Sequence, residues 1–440
     1  MRDFMDLQKS SGKCAFSLPL FLLGLCSELQ ILVVGSIGIS ELAMFVIGPF
    51  FLIKDWPQLR QKKFTPFLWL LMLMFVSGWF SNWYNHIDFA RAIRGLATPY
   101  SFLMGVATFH HFLKDDVKKT RWFFIGFAIS VVLSVFVFQR VANRFEGGYE
   151  LSSNEAMERK MNYSLFWLQQ ISSALVLPIN AFYMEIPKAY PVCAVAFLLF
   201  YGFAMSNNRS SLVIFGMSLF LFLVGGKQTR AMTFVKKHFA ALVISTLLLA
   251  PLLNLFYKQM ASSGLLGEDA RVKYEKQAGA KADVFQTLAG GRSDFFIGLT
   301  ACLDRPIVGF GAWAQDTQGY SMAFFAKHGA TEKDLEWIRW TDEHGGRLIP
   351  GHSWLIQSWL WYGIGGLLWV LYLGKLILGT LKNCLSAIPH LYGYFAFLLP
   401  AHIWNWWFSP LGARTQLAMF FTLCLFAHYY QRLKDRGVMA

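Results

Sequence analysis

Charged side chains are scarce in this sequence. Asp, Glu, Lys and Arg make up 15% of its 440 residues, against about 25% in a soluble chain of ordinary composition. Acidic residues are the rarer sign, 26 against 40 basic ones. Cysteine is sparse as well. Cys14, Cys26, Cys193 and Cys424 lie in apolar runs, Cys384 in a short turn, and Cys302 alone in a long polar segment. No CxxC pair occurs, so neither a zinc ribbon nor a disulfide framework is indicated. Walker A, G-x-S-x-G and H-E-x-x-H motifs are all missing, and no metal or cofactor is expected. The apolar runs do not alternate with polar residues, which excludes a transmembrane β-barrel. The formal charge of +14 has no aromatic-interleaved basic face behind it, so nucleic acid is not an expected partner.

What is abundant is hydrocarbon: 55% of the residues are hydrophobic, 43 of them Phe. They fall into blocks of about 18–22 residues, the length that crosses a bilayer. The expected fold is all-α, a polytopic membrane protein of about twelve transmembrane helices with a large helical loop. The first five runs lie at about 15–35, 38–53, 64–82, 95–113 and 122–141, and the next four at about 163–184, 190–206, 211–225 and 238–257. The last three lie at about 352–379, 388–406 and 414–430. Residues 1–257 thus carry spans one to nine, 258–350 the loop, and 351–440 spans ten to twelve with a basic tail. The first run follows Arg2, Lys9 and Lys13 without a small-residue cleavage site and reads as a span rather than a removed signal peptide.

Lys and Arg concentrate in the short connections, such as Lys54, Arg60, Lys62 and Lys63, or Lys114, Lys118, Lys119 and Arg121. With the N-terminus inside, these connections all fall on the cytoplasmic side, as the positive-inside rule requires. Segment 258–350 then lies outside and is too long for an idle connection. Within it, ADVFQTLAGGRSDFFIGLTACL has apolar residues at helical spacing, before Pro306, Gly309 and Gly311 end the pattern. EKDLEWIRWTDEHGG reads as a short amphipathic helix, and the whole as a small helical cap on the outer face.

Three residues remote in the chain fall at this outer boundary: Arg209 in SNNRSS, Arg292 in AGGRSDFF and His352 in PGHSW. Two guanidinium forks suit a pyrophosphate, and an imidazole beside them can take a proton from an attacking hydroxyl. Each also has a plainer reading. Arg209 could snorkel to headgroups, Arg292 could be a solvated residue at a helix start, and His352 could be an interface residue of the first turn of span ten. From His352, residues Leu355, Trp359 and Gly363 share a helical face, and Gly363 and Gly365 allow close helix approach. Arg91 and Arg94 could add positive potential to the same cavity or anchor headgroups, and Arg414 stands in the last external turn. His110 and His111, adjacent in span four, cannot share a face for a metal. Glu28 and Glu41 read as residues at span ends. WNWWF, 404–408, reads first as an aromatic belt and second as a sugar-stacking surface.

Across about residues 200–370, these stretches together resemble the O-antigen ligase and polymerase superfamily of bacterial envelope glycosyltransferases. The family's histidine motif corresponds to His352, Ser353, Gln357 and Gly363, with Gly366 beyond. Its Gly-Arg opening a loop helix, followed by Pro and a Gly-x-Gly turn, corresponds to Gly291, Arg292, Pro306, Gly309 and Gly311. Arg209 fits its arginine in a short external turn. Asn208 and Ser210 stand where the family often has Ser and Gly, and Trp361 where an acidic residue often falls. The resemblance implies a GT-C-like membrane enzyme of the inner membrane, its site facing the periplasm. The reaction would be metal-independent, inverting transfer of a glycan from undecaprenyl pyrophosphate. The acceptor would be a sugar hydroxyl of lipid A core for a ligase, or a lipid-linked glycan for an O-antigen or exopolysaccharide polymerase. His352, Arg292 and Arg209 would be catalytic, with Arg91, Arg94, Gln357 and Arg414 as candidate contacts to pyrophosphate or glycan, and membrane lipid as a further partner. A transporter or flippase is the competing class. It would want midplane carboxylates and an inverted repeat, whereas the span centres here are nearly free of Asp and Glu.

Overall fold

A computed structural model describes residues 16–27, 29–32, 36–60, 64–114, 119–136, 292–327, 346–387 and 392–409, with isolated residues elsewhere. Runs six, seven, nine and twelve lie essentially outside this set and run eight is described only at 214 and 216–221; the SNNRSS turn, most of the EKDLEWIRWTDEHGG segment and Glu28 also lie outside it. The described chain is helical apart from one strand pair.

The first run is not one span. α1 (Leu18–Leu25) ends at Cys26, and β1 (Gln30–Leu32) pairs antiparallel with β2 (Ser36–Gly38). The stretch ILVVG, with three β-branched residues before a glycine, favours extended backbone over helix. α2 (Ile39–Leu59) then starts at Gly38, whose N–H donates to the buried Glu41 carboxylate at 3.2 Å. Glu41 therefore serves as a helix-start acceptor. α3 (Phe64–Tyr84), α4 (Phe89–Leu113) and α5 (Thr120–Phe136) follow. Asp88 caps α4 by accepting from the Arg91 N–H at 3.0 Å.

The helices pack in pairs: α1 with α5, and α2 with α4. Gly24 and Gly126 let α1 and α5 meet backbone to backbone, since a Cβ at either would fall 2.1–2.2 Å from a carbonyl oxygen of the other helix. α2 and α4 are tied by Asp55, which accepts from His111 Nδ1 at 2.7 Å and Lys114 Nζ at 2.8 Å. His111 stacks on Phe51, with ring centroids 4.0 Å apart. His110 turns the other way and is buried, so the two histidines occupy different faces.

α6 (Ser293–Asp304) and α7 (Tyr320–Lys327) belong to the long polar segment. α8 (Trp354–Ala387) and α9 (Tyr392–Phe408) complete the described elements. Segments Thr65–Tyr84 of α3 and Trp354–Leu378 of α8 are long and apolar enough to cross a membrane. α3 packs extensively on α8 and leaves Trp69, Val76, Trp79, Phe80 and Trp83 exposed. An apolar row of this kind suits contact with hydrocarbon or another protein surface.

α8 is not a continuous helix. It breaks at Gly363 (φ 57°, ψ −144°), a left-handed φ that glycine alone adopts cheaply. Two backbone groups freed by the break bond to the segment after α6. Ile364 N–H donates to the Ile307 carbonyl at 2.8 Å, and Phe310 N–H donates to the Leu360 carbonyl at 2.7 Å. Gly309 (φ 74°) must also be glycine, because a Cβ there would lie 2.6 Å from the Leu360 oxygen. The expectation that Gly363 mainly permits close helix approach is thus corrected: it is the hinge of a broken helix whose backbone is satisfied by the Gly-x-Gly turn. Asn85 fixes that turn from α3's end, donating to the Gly309 carbonyl at 3.2 Å and accepting from Arg305 at 2.7 Å. Asn82 accepts from Ala312 N–H at 2.8 Å.

Candidate active site

α6 is pressed against the start of α8. Gly298 makes room for Ile356 and the Pro350 carbonyl, and the buried Cys302 thiol points at the Ile356 carbonyl at 3.8 Å. Burial pushes the Cys302 thiol well above its ordinary range. The segment leading into α8 is pinned at the same time by an isolated antiparallel bridge, Gln315 to Leu348. Asp316 N–H donates to the Arg347 carbonyl at 2.6 Å, and Ile349 N–H to the Ala314 carbonyl at 3.0 Å. Ser353 caps α8, its hydroxyl accepting from Ile356 N–H at 3.3 Å while donating to the Trp406 carbonyl of α9 at 3.0 Å. These contacts bring the start of α6, the start of α8 and the end of α9 to one place.

There a cavity of about 120 Å³ is lined by Arg292, Ser293, Asp294, Phe295, His352 and Phe408. Arg292 sits at the cap of α6, its carbonyl accepting from Phe295 and Phe296 N–H at 3.0 and 3.3 Å. The Arg292 guanidinium carbon stands 4.9 Å from the Trp404 ring centroid and 4.4 Å from that of Phe408. Two aromatic faces hold the cation near the C-terminal turn of α9, where the helix dipole also favours positive charge. His352 precedes the cap of α8, and its side chain is 61% exposed; its Nδ1 lies 3.1 Å from Asp294 Oδ2.

The expectation that His352 heads the helix and shares a face with Leu355, Trp359 and Gly363 is corrected. The helix begins at Trp354, so the ring's direction is set by the pinned segment before it and by Asp294. Trp359 instead donates to the Pro306 carbonyl at 2.8 Å. Gln357 is 4% exposed and packs beneath Gly351; it is not among the residues that line the cavity. Arg91 pairs with Asp88 at 3.0 Å and Arg94 is exposed on the first turns of α4. Neither lines this cavity. Arg209 and Arg414 lie outside the described residues.

The WNWWF cluster divides its labour. Trp404 and Phe408 hold Arg292, while Trp406 packs on Gly374 and donates to the Val370 carbonyl of α8 at 3.0 Å. Sequence reasoning passed over Asp294, although a carboxylate in the first turn of a helix two residues after a candidate arginine was a usable signal. Among the described residues, no group of three or more His, Cys, Asp or Glu side chains is arranged to hold a metal ion. Chemically, the cavity offers a cation held by two rings, an imidazole 3.1 Å from a carboxylate and the N-terminus of α6, a set suited to an anionic leaving group and a proton acceptor side by side. Comparison with protein-family models, with curated proteins and with solved structures finds no match to this chain.

Proposed function

We propose that this protein is an O-antigen ligase. It transfers a glycan from undecaprenyl pyrophosphate to a sugar hydroxyl of lipid A core at the periplasmic face of the bacterial inner membrane. The reading includes about twelve spans, inverting and metal-independent chemistry, and Arg209 as a second cation on the pyrophosphate. One observation carries it: Arg292 and His352, nominated from separate motifs, line the same cavity. Departure of pyrophosphate builds negative charge, which Arg292 stabilises as it develops. His352 takes the proton of the attacking hydroxyl. Its exposure at the cavity mouth suits an acceptor arriving from water or the membrane surface. The loop clasped into the break of α8 supports the same reading, because non-helical backbone at membrane depth is tolerated where protein satisfies it.

The test incubates purified protein with undecaprenyl-pyrophosphate glycan, with and without lipid A core. Transfer that requires core identifies a ligase. Chain growth without core identifies a polymerase. Absence of turnover in both, with glycolipid translocation in vesicles, would replace the reading by a flippase.

A further inference from the structure

We propose that Asp294 is the positioning residue for His352: its carboxylate accepts the Nδ1 proton and so leaves Nε2 as the nitrogen that receives the acceptor's proton. The inference rests on the reading of His352 as the base of glycan transfer. The 3.1 Å contact between Nδ1 and Asp294 Oδ2 joins two residues that both line the cavity. A neutral imidazole carries its proton on one nitrogen only, and the partner of the other nitrogen decides which. An anionic acceptor at Nδ1 therefore selects the Nδ1–H tautomer and turns the lone pair of Nε2 to the opposite edge of the ring.

Three further features favour this role over an incidental surface pair. Asp294 lies in the first turn of α6, where backbone N–H groups favour negative charge. The helix that carries it is held against Pro350 and Ile356, two and four positions to either side of His352, so carboxylate and ring are fixed by one packing contact. Finally, the two side chains are 38% and 61% exposed, and a pair so open to water contributes little to stability. Its consequence lies in the orientation of a titratable ring. The ionisable groups among the described lining residues are Arg292, Asp294 and His352 itself.

The step balances simply. The acceptor oxygen forms its bond to the anomeric carbon as its proton passes to Nε2. The bond from that carbon to the pyrophosphate oxygen breaks, and undecaprenyl pyrophosphate leaves with the electron pair. Asp294 remains ionised and stabilises the imidazolium, which then releases its proton to solvent.

Asp294→Asn keeps the shape but offers an amide N–H to Nδ1, reversing the tautomer. The equivalent exchange in a Ser-His-Asp triad lowers kcat by about 10⁴. The open pair here orients its ring less completely than a buried triad does, so with the full-length protein, undecaprenyl-pyrophosphate glycan and lipid A core, Asp294→Asn is expected to lower kcat by about 100-fold, no more than loss of His352 itself, with the donor KM changed by less than about threefold. ¹⁵N spectra of histidine-labelled protein, with His352 assigned by its loss in His352→Gln, should shift from an Nδ1–H to an Nε2–H pattern in Asp294→Asn. Asp294→Glu should restore both the Nδ1–H pattern and a substantial share of the rate. Wild-type kcat in Asp294→Asn would overturn the proposal, and so would loss of rate with an unchanged tautomer. Full transfer by His352→Ala would instead overturn the underlying assignment of function.

Discussion

Two histidine–aspartate pairs among the described residues sit in contrasting surroundings. His111 and Asp55 meet at 2.7 Å with side chains 17% and 2% exposed, and Lys114 supplies a second donor to the same carboxylate. His352 and Asp294 meet at 3.1 Å with side chains 61% and 38% exposed, and line a cavity together with Arg292. The first pair ties α2 to α4, and its ring is stacked flat on Phe51. The second joins the pinned segment before α8 to the start of α6 and leaves the ring 61% exposed. The same two residue types thus serve packing where they are buried and, on the proposed function, chemistry where they are not. Burial, not composition, separates the roles.

The comparison breaks most sharply under Arg292→Ala and His352→Ala. Each should cut glycan transfer by about 100- to 1,000-fold, the usual consequence of losing one well-placed electrostatic group. Thermal unfolding in detergent should be almost unchanged. Transfer near the wild-type rate in both variants would defeat the division of roles. Asp55→Ala should do the reverse. It leaves two donors at a buried position and should destabilise by about 3 kcal/mol, the lower end for a broken buried pair because Lys114 and His111 reach solvent. Transfer per folded molecule should persist. A thermal midpoint equal to wild type would show that α2 and α4 are held by other contacts.

Gly363→Ala falls between these two. A Cβ there meets the Ile307 carbonyl at 2.1 Å on a residue of positive φ, so a cost of about 2 kcal/mol is expected from backbone strain alone. Because Ile307 and Phe310 belong to the segment that follows α6, the change should also disturb the placement of Arg292. Loss of stability together with loss of transfer is the expected pair of results; transfer kept at full rate would separate the clasp from the site.

Much of the helical layout was legible because period and length are local properties. The runs read at 38–53, 64–82, 95–113 and 352–379 correspond to α2, α3, α4 and α8. The strand pair after α1 was hidden, since an apolar β-branched stretch serves either a span or a strand. Arg292 and His352 were legible as residue types at a boundary, and their common cavity depended on α6 packing against α8. That packing turns on Gly298, whose role no spacing rule discloses. Gln357 does not line that cavity. It was nominated from the family's histidine motif, whereas the start of α8 at Trp354 turns it into the packing beneath Gly351. Gly363 was read correctly as special and assigned the wrong reason, because a broken helix requires a partner loop that sequence periodicity does not reveal.

The smallest expected effect sharpens the comparison most directly. Asp294→Ala removes a carboxylate just as Asp55→Ala does, yet should change unfolding stability by less than about 0.5 kcal/mol, as for other exposed pairs. The partner left behind, His352, can be solvated where it stands, and the amides of α6's first turn remain within reach of water. Parallel thermal or denaturant unfolding of the two alanine variants measures the difference. A loss at Asp294 as large as that at Asp55 would mean that the open pair is also a structural tie, and the distinction between a buried clasp and a working imidazole would then have to rest on transfer rates alone.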